Sequence, residues 1–291
     1  MTPLLDQVKT RTRHGLRAAR DFVAPRGSNR GNAIDSLRDA RESYPKTTRP
    51  GQDLRILVVA PPKSGNMWIK CLLANAYGLA WIPEHQGPQR GAEAGLRAFV
   101  EAGHFRPGTI MHRHYGYSPE FVEIARSVPC QLVTIVRDPY DLFVSYYYHL
   151  QTFTTGHQRN QVASATMTGK PLDHPDVLAY LAGDFGKLLA RAEAWVRSGD
   201  SLVVRYEDLH RDQLGELTRV TALIRAASPT EIGQAVTQCS ADAMRGYSRN
   251  MAKHVRKATV GDSKQRLGPE HLAIFRERYA GVIRDLGYEA R

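Results

Sequence analysis

The chain has 291 residues, 42% of them hydrophobic, enough to bury a substantial core as one large α/β domain or two small ones. Lys and Arg total 40 against 29 Asp and Glu; the formal charge of +11 calls for an anionic partner, whether nucleic acid, a membrane surface or a polyanionic nucleotide. The apolar runs fall well short of the roughly 18–20 residues of a spanning helix, and three widely spaced cysteines, Cys71, Cys130 and Cys239, argue against a disulfide framework or a cysteine-built metal site.

Residues 1–50 form a basic leader, helical over Leu4 to Val23 or partly disordered, without the apolar core of a secretory signal; a cytoplasmic protein is expected. Residues 51–291 read as a single domain. RILVVA, from Arg55, is a dense β-branched run, as expected of a buried strand, and leads into the turn PPKSGN and the helix MWIKCLLANAY closed by Gly78. The segment from Thr109 opens another strand. CQLVTIV, Cys130 to Val136, repeats the pattern, followed by RDPYD and the helix LFVSYYYHLQT, in which Tyr146, Tyr147 and Tyr148 serve mostly packing. Residues 151–172 are polar and rich in Gly and Thr, a candidate gating loop. KLLARAEAWVRSG predicts a helix, SLVVRYEDL (Ser201 to Leu209) a strand, and HLAIFRERYAGVIRDLGY the final helix. Alternating strands and helices predict an α/β, three-layer sandwich with a mainly parallel central sheet. Cys71 and Cys130, in apolar contexts, are expected to be buried thiols.

Three segments carry chemistry. In Pro61-Pro62-Lys63-Ser64-Gly65-Asn66-Met67-Trp68, a strand runs through a short Gly-containing loop into a helix, whose N-terminus suits an anion. Lys63 adds a mobile charge, and Ser64 and Asn66 add donors. The loop is P-loop-like, but it lacks the GxxxxGK[ST] form of a nucleoside-triphosphate site; a plain basic turn before a buried helix is the alternative. In Arg137-Asp138-Pro139-Tyr140-Asp141-Leu142-Phe143-Val144-Ser145, Arg137 at a strand end either grips a phosphate or pairs with Asp138 or Asp141, and Asp138 can cap the helix behind Pro139. The third is Arg256-Lys257-Ala258-Thr259-Val260-Gly261-Asp262-Ser263-Lys264, a basic cluster around a Gly turn.

Together these segments resemble the PAPS-dependent sulfotransferase family of the cytosolic type. Pro62 to Trp68 is similar to PKSGTTW, Arg137 to Ser145 to RxPxDxxxS, and Arg256 to Lys264 to RKGxxGDWK, with Tyr206-Glu207-Asp208 as a strand-borne fourth element. The resemblance runs from about Arg55 to the end. It implies that Lys63, Ser64, Gly65, Asn66 and Met67 wrap the 5′-phosphosulfate of the co-substrate PAPS, and that Arg137, Ser145, Arg256 and Lys257, with Ala258, hold its 3′-phosphate. Trp68 and Tyr206 would flank the adenine. PAP would be the product, and no metal is required. The segment Met111-His112-Arg113-His114 is similar to the family's K-T-H, which makes His114 the base that deprotonates the acceptor hydroxyl; histidine's reference pKa of about 6.5 suits that task. Lys63 would neutralise charge on the leaving oxygen, and Ser145 would restrain Lys63 until the acceptor binds.

Several residues depart from the pattern. Asn66 and Met67 replace the two threonines, His112 replaces the lysine before the base, and Ser263 replaces the Trp of GDW. Ala258 replaces a glycine, acceptable only with φ below zero. The adenine-stacking Phe expected near Cys239 to Ala241 is missing. The acceptor is expected to be a hydroxyl-bearing small molecule, glycan or glycosylated natural product, as in a bacterial secondary-metabolite or glycan enzyme; its pocket would draw on Pro83 to Tyr117, where Trp81, Phe99, Phe105, Tyr115 and Tyr117 are either wall or core. No nucleic-acid-binding motif accompanies the charge, and a homodimer is allowed. The competing readings are a nucleotide-dependent kinase on a related fold and an inactive PAP(S)-binding homologue.

Overall fold

The computed structural model describes residues 53–83, 86–88, 92–152, 162–247, 251–252, 255 and 257–291. The basic leader, Arg256 and the middle of the 151–172 loop lie outside the described residues. Five strands form one parallel sheet in the order β2-β3-β1-β4-β5: β1 (Arg55–Val59), β2 (Ala80–Trp81), β3 (Thr109–Arg113), β4 (Gln131–Val136) and β5 (Leu202–Arg205). The expected parallel α/β fold is present, with helices on both faces.

Alternation along β1 builds the layers. Ile56 and Val58 pack with α1 (Asn66–Tyr77), α9 (Gln213–Ile224) and α10 (Pro229–Gln238), while Leu57 and Val59 turn to the other face, toward α2 (Ala92–Glu101) and α3 (Pro119–Arg126). Another cluster joins α4 (Pro139–Thr152), α6 (Pro175–Ala182), α7 (Phe185–Ser198) and α11 (Pro269–Asp285) around Phe143, Phe185 and Phe275. The chain leaves β1 toward β2 and β3 on one side, then returns to β4 on the other. The loop after β1 therefore lies at a topological switch point, where open α/β sheets offer a crevice beyond the strand ends.

Local signals explain the boundaries. Gly78 closes α1 in the left-handed conformation at φ 64°. Asp138 caps α4, its Oδ1 accepting from the amides of Tyr140 (2.8 Å) and Asp141 (3.3 Å), with Pro139 in the first turn.

Three expectations fail. The strand read through Leu209 stops at Arg205, and Tyr206-Glu207-Asp208 opens the helix α8 (Tyr206–Arg211). Two acidic residues in the first turn favour that helix start, and Tyr206 and Leu209, three apart, bury the same face. Within the expected 151–172 loop, Val162–Met167 is a helix, α5, anchored by the fully buried Met167. Cys71 is not a free thiol: it forms a disulfide with Cys239, 168 residues away, joining α1 to the C-cap of α10. Sequence spacing carried no sign of this pairing, because it depends on α10 packing against α1. Cys130 remains a free thiol, and burial pushes it up to about 12.

A bond closing so long a loop constrains the unfolded chain strongly. Cys239→Ser is expected to cost about 2–5 kcal/mol. Thermal melts with and without dithiothreitol check this: reductant should lower the midpoint of the native protein and leave that of the variant unmoved.

Candidate active site

The three segments and the β3 terminus converge on one cavity of about 770 Å³ at the switch point. Lys63, Gly65, Asn66, Met67 and Trp68 line it, with His112, His114, Arg137, Ser145, Tyr206, Lys257 and Ala258. Ser64, expected to contact the 5′-phosphosulfate, is not among the lining residues: it is buried, at 1% exposure. Arg256 falls outside the described residues.

The loop is strained where it turns. Lys63 stands at φ 70° and Gly65 at φ 110°. At Gly65 a Cβ would lie 2.8 Å from the Tyr206 ring and 3.0 Å from Ile135, so only glycine fits between the helix start and the tyrosine. Asn66 Nδ2 donates to the Pro61 carbonyl at 2.8 Å, which holds the loop closed. Its Oδ1 is buried without a hydrogen-bond partner.

Arg137 leaves the end of β4 and ties the segments together. Its guanidinium donates to the carbonyls of Lys63 (3.3 Å) and Thr259 (3.2 Å) and lies 4.3 Å over the Tyr206 ring. It pairs with neither Asp138 nor Asp141, and its buried Nε has no hydrogen-bond partner. Asp138 instead meets Arg291; burial pushes the Asp138 carboxyl up, against the pull of that arginine. Asp141, fully buried, accepts from the amides of Gly261 (2.5 Å) and Ser263 (2.9 Å) and so fastens the third segment to α4. Sequence reading cast Asp141 only as a partner for Arg137; its fixed place in the second motif was the signal for this anchoring role. Lys257 pairs with Asp262 at 2.8 Å.

Trp68 and Tyr206 meet edge to face, centroids 5.4 Å apart, and Trp68 Nε1 donates to the Cys239 carbonyl at 3.1 Å. Burial pushes the Tyr206 phenol up. Glu207 accepts from the Asp138 amide (3.0 Å) and from the Tyr288 hydroxyl (2.7 Å), locking α8 to the β4 end. Where the aromatic was expected near residue 240, Ser240, Ala241 and the buried Met244 line the cavity, so a thioether supplies the apolar surface there.

Ala258 does not keep φ below zero: it stands at φ 53°, its carbonyl accepting from His210 Nε2 at 3.0 Å. The turn imposes the backbone conformation, and the side chain bears a cost of about 1–2 kcal/mol. Part of that returns as glycine's larger entropy loss on folding. Ala258→Gly should therefore raise the thermal midpoint by roughly 1–3 °C, checked by calorimetric scanning.

On β3, Ile110 faces the α1 side and Met111 the opposite face, so His112 and His114 both turn toward α1. Their rings sit edge to face at 5.6 Å. His114 Nδ1 lies 2.8 Å from the Ala60 carbonyl. A carbonyl only accepts, so Nδ1 carries the proton and the neutral ring keeps its lone pair on Nε2. Sequence reading missed His149, His210 and Gln213 as cavity residues; they fall outside the motifs and reach the wall only through the packing of α4, α8 and α9. Phe99 and Phe105 are core, Tyr115 and Tyr117 pack on the same cluster against Phe121 and Trp195, and Trp81 packs beside α1. Tyr146, though buried, also contributes to the cavity wall. Among the described residues no group of three or more His, Cys, Asp or Glu side chains could hold a metal ion.

A parallel sheet with a phosphate-type loop at its switch point, walled by arginine, lysine and two aromatics, defines a nucleotide-using transferase. A sequence profile of the sulfotransferase domain matches residues 53–287, and the chain belongs to that family: it is a PAPS-dependent sulfotransferase. Among the solved structures that share the fold are two with PAP bound. One is a mouse sulfotransferase, SULT7A1, complexed with PAP, at 18% identity over 85% of this chain and 91% of that one, with a TM-score of 0.60. The other is a retinol dehydratase in complex with androsterone and the inactive cofactor PAP, at 14% identity over 87% and 86%, with a TM-score of 0.55. No curated protein matches the chain in sequence.

Proposed function

We propose that the cavity holds PAPS and passes its sulfuryl group to the hydroxyl of a small-molecule or glycan acceptor, with His114 as the base. One observation carries this reading: Arg137, a cavity-lining residue that reaches the loop before α1, keeps a buried Nε without a hydrogen-bond partner. A buried unpaired donor on an arginine is costly unless an anion completes it. Bound PAPS supplies the activated sulfuryl group. Lys63 and the α1 N-terminus receive its 5′ end, Arg137, Ser145 and Lys257 its 3′-phosphate, and Trp68 and Tyr206 its adenine. Arg256 is assigned to the same phosphate by its motif.

His114 takes the acceptor's proton on Nε2, and the Ala60 carbonyl steadies the resulting imidazolium through Nδ1. Lys63 offsets the charge that grows on the leaving oxygen, and Ser145 restrains it beforehand. Tyr146, His149, Leu150 and Arg113 surround the acceptor end, a mixed wall suited to an alcohol with some apolar surface.

The described residues contain no helix long and apolar enough to cross a membrane, and the cytoplasm is the proposed compartment. The Cys71–Cys239 bond weighs against that, since cytosolic thiol pools reduce most disulfides. Thiol counting on denatured protein purified from the cytosol under alkylation decides: a single reactive thiol means the bond survives there.

Calorimetric titration tests the donor assignment. Micromolar or tighter PAP binding, with ATP at least tenfold weaker, is the expected result; equal binding of the two, or none, would overturn it.

A further inference from the structure

Lys70, on α1, is 97% buried, yet its side chain ends in an ammonium rather than in the apolar core around it. That ammonium lies 3.6 Å over the Trp81 ring and 3.0 Å from Nδ1 of His112, a residue of the cavity wall. A buried cation is expensive, and this one is placed one residue behind the wall rather than in it. An ammonium only donates, so Nδ1 of His112 accepts and the neutral imidazole carries its proton on Nε2. His112 is thereby fixed as a donor tautomer with a positive charge at its back. It stands beside His114 at the end of β3, across from the loop after β1: Val58 pairs with His112 in register.

Building on the PAPS reading above, we propose that Lys70 is a positioning residue and that the Lys70–His112 pair recognises the sulfuryl end of the donor. Lys70 sets the tautomer and charge of His112; His112 presents them to the cavity. Trp81 accepts the cation on its face and holds the ammonium in line with the imidazole. The adenine end, with Trp68 and Tyr206, is served by other elements, so the pair should discriminate the sulfated nucleotide from the unsulfated one.

The test is calorimetric titration of PAPS and of PAP into the wild type, Lys70→Met, His112→Asn and the double variant Lys70→Met/His112→Lys. The proposal expects Lys70→Met to weaken PAPS about tenfold while PAP stays within twofold. His112→Asn leaves Lys70 an amide-oxygen acceptor but removes the outer ring edge, and it should show the same selective loss; it carries the test if Lys70→Met does not fold. The double variant places an ammonium directly on the wall and should restore the PAPS preference. Equal weakening of both ligands, or no change in either single variant, would overturn the role. Failure of the wild type to bind PAP at all is a different result, which overturns the donor assignment itself and this proposal with it.

Discussion

Arg137→Ala should weaken PAP binding by roughly 30- to 100-fold, about 2–3 kcal/mol. The guanidinium does three things in this structure. It bridges the carbonyls of Lys63 and Thr259, it covers the Tyr206 ring, and it lines the cavity with a buried Nε that has no hydrogen-bond partner. Removing it deletes a charge-assisted contact to the nucleotide and loosens the link between the first and third segments. Arg137→Lys should recover only part of the loss, since a compact ammonium lacks the planar fork that reaches two separate carbonyls and the ligand at once. Calorimetry of PAP binding reads both variants, and circular dichroism confirms that they fold. An Arg137→Ala protein that binds PAP as tightly as the wild type would place the 3′-phosphate elsewhere.

His114→Asn should lower turnover by 10²–10⁴-fold, the usual contribution of a positioned general base. The asparagine amide can still donate to the Ala60 carbonyl that now receives the Nδ1 proton, so the β3 terminus keeps its tie to β1. What it lacks is a basic nitrogen where Nε2 stands. PAP affinity should stay within twofold, which separates this effect from that of Arg137. Rapid-quench measurement of a single turnover from PAPS to an alcohol acceptor found by screening is the readout. Turnover within tenfold of the wild type would remove His114 from the proton transfer.

The motif residues were readable in the sequence because they are local: a β-branched run, a Gly loop and a helix start lie within about a dozen positions, and each has its own chemistry. The strand order was not readable, nor was the meeting of segments separated by 74 and 122 residues on one guanidinium. Tyr206 was read as strand because SLVVRYEDL is continuous in β propensity; the helix starts there once Glu207 finds the Asp138 amide and Tyr288. Local propensity cannot see such partners.

Composition and short-range pattern thus determined the fold class and the phosphate-type loop, since hydrophobic period and turn chemistry act over a few residues, and the resemblance of three short motifs to a family supplied the set of candidate residues. The tertiary structure alone decided the Cys71–Cys239 bond, the positive φ of Ala258, the partners of Arg137 and the placing of Lys70 behind His112. Each of these depends on which distant backbone or side chain the sheet brings within about 3 Å, a distance at which hydrogen bonding and charge outweigh local preference.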